Sequence, residues 1–103
     1  MTRALSGTRL AAAVARARGW TKRGRYWEDQ SVQIYAPKYR PDHNVEQAME
    51  LVGLVQPLWF RLEWLHEAKR WYAIFGEITD GYAATSPATA ICRAFLAAKG
   101  GEG

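Results

Sequence analysis

The sequence predicts a small α+β protein in which three helices pack with a mainly antiparallel sheet of three to five strands, as helix/sheet/helix layers. Two observations predict it. Apolar residues recur at helical spacing in three stretches and alternate with polar ones in the runs between, giving the order helix, strands, helix, strands, helix. The 103-residue chain is also of ordinary globular composition, 49% hydrophobic and 23% charged, which speaks against intrinsic disorder, a collagen-like repeat and a coiled coil. At 11.6 kDa, area scaling gives about 5,800 Å² of folded against about 16,800 Å² of unfolded surface, so about 65% is buried and one core suffices. A single domain over residues 1–103 is expected, ordered over about 8–99 with a flexible tail at 100–103.

The first helix is expected over residues 8–18. Ser6 or Thr8 can cap it, Leu10, Ala13, Val14 and Ala17 form one stripe, Arg9 and Arg16 lie on the far side, and Gly19 supplies a left-handed stop. Residues 20–30 read as a turn-rich hairpin, with Lys22-Arg23-Gly24-Arg25 between Trp20 and Tyr26-Trp27. Val32, Ile34 and Ala36 alternate with Ser31, Gln33 and Tyr35 as in a half-buried strand, and the segment from Pro37 to Pro41 is expected as a loop.

Asp42 or Asn44 caps a second helix whose inner face is Val45, Ala48, Leu51, Val52 and Val55, with Glu46 and Glu50 outside it and Pro57 preventing continuation. Leu58, Phe60, Leu62 and Trp64 then alternate with Trp59, Arg61, Glu63 and Leu65, the cleanest strand pattern in the chain. A polar turn over His66-Glu67-Ala68-Lys69 leads into residues 70–76, apolar on both faces and therefore central in the sheet. Ile78 to Ala84 adds a third strand around Asp80-Gly81. Ser86 and Pro87 open the last helix with a hydroxyl cap and a proline at the first position; Ala90, Ile91, Ala94, Phe95 and Ala98 form its buried face, and Gly100-Gly101 ends it.

The formal charge of +4 is unevenly divided: residues 1–40 carry nine Lys/Arg against two acids, and residues 41–103 five against eight. The basic half holds the candidate contact site, Arg16, Arg18, Trp20, Lys22, Arg23, Arg25, Tyr26 and Trp27, in which cations alternate with rings able to stack on bases or on a partner's side chains. The competing reading has Trp20 and Trp27 anchoring the hairpin beneath a solvated cationic rim; exposure of the rings separates the two.

No catalytic residue is assigned. His43 lies in a helix-capping loop and His66 in a turn, neither with a specified nucleophile nearby. Cys92 reads as a buried, inert thiol, and two histidines with one cysteine are too few to spell a metal site. No glycine spacing matches a phosphate loop, and no cofactor is implied. The longest apolar run near the N-terminus, Leu10 to Ala15, is bracketed by Arg9 and Arg16, which speaks against a signal peptide or a membrane span. The lone cysteine suggests a reducing, cytoplasmic setting.

Tyr39-Arg40-Pro41-Asp42, the helix Val45-Gln47-Ala48-Met49-Glu50-Leu51-Val52, the strand Trp71-Tyr72-Ala73-Ile74-Phe75 and, above all, Thr85-Ser86-Pro87 leading into Ala90-Ile91-Cys92-Arg93-Ala94 together resemble the phage ABA sandwich domain family. The likeness spans roughly residues 8–99. It implies a layered fold, a bacteriophage or prophage origin and the host bacterial cytoplasm, and it implies no chemistry. From residue 44 onward, the order helix, strand, strand, strand, helix also looks like a double-stranded RNA-binding domain, which grips phosphates with lysines at the start of its final helix. The matching stretch here, Ser86-Pro87-Ala88-Thr89-Ala90, has none. The expectation is therefore a non-enzymatic accessory protein acting through contact with a host or phage protein, as a monomer or homodimer and without a membrane. The alternatives are a nucleic-acid-binding module using the basic-aromatic segment and a binder of a nucleotide-like ligand.

Overall fold

The computed structural model describes residues 5–30, 33–57, 59–78 and 81–99. Helix α1 (Gly7–Ala17) is followed by strands β1 (Thr21–Arg23), β2 (Tyr26–Glu28) and β3 (Gln33–Tyr35), a 3-10 turn (Ala36–Lys38), helix α2 (Val45–Val55), strands β4 (Phe60–Leu65), β5 (Arg70–Phe75) and β6 (Tyr82–Ala84), and helix α3 (Pro87–Ala98). The expected tail at 100–103, the strand positions Ser31, Val32 and Leu58, and Asp80 of the expected turn lie outside the described residues.

The helix starts follow the capping residues. Asn44 accepts from the Gln47 backbone N–H at 3.1 Å and Ser86 from that of Thr89 at 3.1 Å, each satisfying a donor that a first turn leaves free. Ser6 stands at the cap position of α1, but its side chain makes no capping bond. Gly19 ends α1 at φ +87°, a conformation that glycine adopts without Cβ strain. Ala36, expected in the strand, and Pro37 and Lys38, expected in the loop, wind one 3-10 turn: Pro37 sits in its first turn, where the missing N–H is no loss.

The strands form two antiparallel sheets of three, ordered β1-β2-β3 and β4-β5-β6, rather than one sheet of three to five. Edge chemistry keeps them apart: β1 is Thr-Lys-Arg and exposed throughout, and β3 runs directly into Ala36 and Pro37. Strand β5 is central in its sheet, as its two apolar faces predict. Helix α3 packs against β5 and β6 and against both α1 and α2. Ala88, Ala90, Ile91, Cys92, Ala94, Phe95 and Leu96 are consequently all buried, the signature of a helix enclosed on most sides.

Helix α3 meets the C-terminal sheet on its Ala73, Phe75 and Ala84 face. The other face carries exposed Arg61 and Glu63 beside half-buried Tyr72 and Ile74. One hydrophobic cluster joins α1, Trp20, Trp27, Tyr39, α2, the C-terminal sheet and α3. Arg93 ties distant segments to α3, donating to the carbonyls of Ala83 at 3.1 Å and Leu5 at 3.3 Å.

Two burial patterns depart from the periodicity. Helix α1 buries Leu10, Ala11, Val14 and Ala15, a stripe turned toward Ala11 and Ala15 and away from Ala13 and Ala17. In α2, Val45, expected on the inner face, is 43% exposed.

Candidate functional site

The basic-aromatic segment is built by the turn that follows α1. Gly19 lets the chain reverse, and Trp20 lands against Tyr39 with ring centroids 4.8 Å apart. The Arg18 guanidinium lies 4.1 Å from the Trp20 ring centre and donates to the Tyr39 hydroxyl at 3.0 Å. Burial pushes the Tyr39 phenol above its ordinary value of 10.0, and the bond from Arg18 opposes that shift in part.

Gly24, at φ +61°, makes the hairpin turn between β1 and β2. The β2 pleat sends Trp27 inward and Tyr26 outward, where it meets Tyr35 across the strands at 5.5 Å. Arg16 and Lys22 approach the Trp27 ring at 5.5 and 6.0 Å.

The two tryptophans are 6% and 3% exposed. They are anchors of the core, and the cations around them form its rim, so neither ring is free to stack on a base. Tyr26 alone among the proposed rings is open, at 42%. Arg23 turns aside to Glu28, Nε to Oε1 3.4 Å.

Three of the proposed residues, Lys22, Arg25 and Trp27, nonetheless meet in a cleft of about 420 Å³ between α1 and the N-terminal sheet. Its α1 wall is Thr8, Ala11 and Ala12, and Tyr35, Tyr39 and Arg40 complete it. Arg40 is held in place by a two-point pair with buried Asp42, Nε to Oδ1 2.8 Å and Nη2 to Oδ2 2.7 Å; these bonds raise the Arg40 pKa further. The sequence reading missed Tyr35, Tyr39 and Arg40. The available signal was the alternation of rings and cations continuing past Pro37, hidden by treating that stretch as a loop.

No protein-family model, curated protein or solved structure matches the chain. Among the described residues, no three of His, Cys, Asp and Glu are grouped to hold a metal ion, and no helix is long and apolar enough to cross a membrane. His43 and His66 are exposed. Cys92 is fully buried, and burial first, then the Asp42 charge, raises its thiol pKa far above 9.0.

The open aromatics lie elsewhere, around the C-terminal sheet. Trp59 is 44% and Trp64 46% exposed. The Trp59 ring covers Gly76, leaving no room there for a Cβ, and Arg61 lies 5.7 Å from its centre. Trp64 pairs with Trp71 across β4 and β5 at 5.6 Å. At the start of α3, where an RNA-binding relative would place lysines, Ala88 and Ala90 are buried, and the Thr89 hydroxyl donates to the Asp42 carbonyl at 2.8 Å.

Proposed function

We propose that the protein is a non-catalytic accessory protein that works through protein–protein contact, with the β4 edge of the C-terminal sheet, which carries Trp64, as its contact surface. The observation that carries this reading is the exposure of Trp64 at 46% in a domain whose Trp20 and Trp27 are buried. Tryptophan is enriched among the residues that dominate binding energy at interfaces. The buried, proton-holding thiol of Cys92 supports a non-catalytic role. Phage or prophage origin and action in the host cytoplasm belong to the proposal and rest on the sequence resemblance to the phage ABA sandwich family alone; no family model matches the chain.

The test is capture of partners from a bacterial lysate by the wild-type chain and by Trp64→Ser, whose ring is half in solvent. Loss of a specifically captured protein in the variant, with the melting temperature held within a few degrees, is the expected result. Equal capture by both chains would remove Trp64 from the contact.

The cleft favours a second reading, an anionic ligand of nucleotide type. Lys22 and Arg25 stand over a wall of rings and small side chains, a combination that suits a phosphate attached to a flat base. A ligand that binds only the folded chain raises its melting temperature. Nucleoside triphosphates should therefore raise it in the wild type and less in Lys22→Ala; no shift with any of them counts against the cleft.

A further inference from the structure

Strand β4 is an open edge. It forms one side of the β4-β5-β6 sheet, and among the described residues nothing pairs with its outer side. The direction of its backbone groups follows from one bond. The Gly76 N–H donates to the Trp59 carbonyl at 2.7 Å, in continuous register with Phe60↔Phe75 and Leu62↔Ala73. Trp59 thus turns its backbone groups toward β5, and by alternation so do Arg61 and Glu63. Phe60, Leu62 and Trp64 turn theirs outward, to the free edge.

The side chains of that edge are self-complementary. Arg61 and Glu63 are exposed on one face, and Phe60, Leu62 and Trp64 lie on the other. Helix α3 packs on β5 and β6, and β4 keeps Trp64 46% exposed. Now place a second copy antiparallel to β4, with the two-fold axis through Leu62. Leu62 faces Leu62, Phe60 faces Trp64 and Trp64 faces Phe60, each pair exchanging two backbone hydrogen bonds.

Arg61 then faces Glu63, and Glu63 faces Arg61, at the non-hydrogen-bonded positions where side chains stand closest. Moving the axis to Arg61 or Glu63 sets like charges opposite one another, so the charge order favours the Leu62 register over its two neighbours. The β1 edge of the other sheet lacks this property, since it carries Lys22 and Arg23 and would repel its own copy.

We propose that β4 is a self-association edge: two copies of this chain pair through it about Leu62, giving a continuous six-stranded sheet with Arg61 and Glu63 exchanged across the two-fold. The inference rests on the protein-contact reading and names the partner as a second copy. Sedimentation of the full chain between about 1 µM and about 1 mM, the range of weak to moderate affinities, should show a monomer–dimer equilibrium. Glu63→Arg and Arg61→Glu should each weaken the dimer at least about tenfold, because each sets like charges opposite. The double exchange Arg61→Glu/Glu63→Arg should restore it, as should mixing the two single variants.

A second measurement needs no variant. In the concentrated wild type, amide exchange at Phe60, Leu62 and Trp64 should slow relative to a dilute sample, while Arg61 and Glu63 stay protected in both. A chain monomeric throughout that range, or a dimer indifferent to both single variants, would overturn the pairing. If the chain is monomeric while Trp64→Ser still abolishes capture of another protein, the pairing falls and the contact reading stands.

Discussion

Cys92 and Tyr39 are the two buried residues whose protonation the fold holds, and both titrate above their ordinary values because burial disfavours the charged form. The folded chain therefore keeps a proton that the unfolded chain releases. Their contribution to stability is complete below the ordinary values of 9.0 for the thiol and 10.0 for the phenol, and it declines as pH rises past each in turn. Urea midpoints measured from pH 7 upward should fall from about pH 9. Cys92→Ala should remove the earlier part of that fall and Tyr39→Phe the later; a profile identical in all three chains would contradict the linkage. The burial of Cys92 was legible, since a small residue in an apolar helix packs as a hydrophobe. The fate of the tryptophans was not. Trp20 packs on Tyr39 and Trp59 lies over the bare backbone of Gly76, contacts with residues distant in the chain that no local pattern records.

Helices α2 and α3 begin on similar caps that do different amounts. Asn44 serves its own first turn. Ser86 also donates through its hydroxyl to Thr89 Oγ1 at 2.9 Å, and Thr89 in turn reaches the Asp42 carbonyl. Replacing Asn44 by alanine should cost about 1 kcal/mol, and Ser86→Ala about 2 kcal/mol, since a cap is typically worth about 1 and a further buried bond adds to it. Urea denaturation checks the order; an equal or greater loss at Asn44 would show that the Thr89 link adds nothing. These helix starts were legible because caps and periodicity are local, and so was the β4–β5 hairpin, whose alternation and turn lie in one stretch. The inward face of α1 was not, because Ala11, Ala12, Ala13 and Ala15 are alike in size and the neighbouring sheet and helix choose among them. The division into two sheets was equally hidden: pairing depends on edges that no single strand records.

Across the whole molecule, Lys22, Arg25 and Arg40 of the basic segment come together at the cleft, so an anionic ligand meets cations there. If that ligand is a nucleic-acid strand, its affinity should fall with salt, and Lys22→Ala should lower the log–log slope by about one. Arg23→Ala should leave the slope unchanged, because Arg23 is turned toward Glu28.

The position of α3 has a consequence for how the chain is made. Its side chains supply much of the one hydrophobic cluster and meet α1, α2, β5 and β6 together. Emerging from the ribosome, the first 86 residues have helices with nothing to close on and a sheet whose Ala73 and Phe75 face water. Folding must wait for Ile91 and Phe95. Until Ile91 and Phe95 emerge, a growing chain of this kind exposes the apolar surface that they will cover.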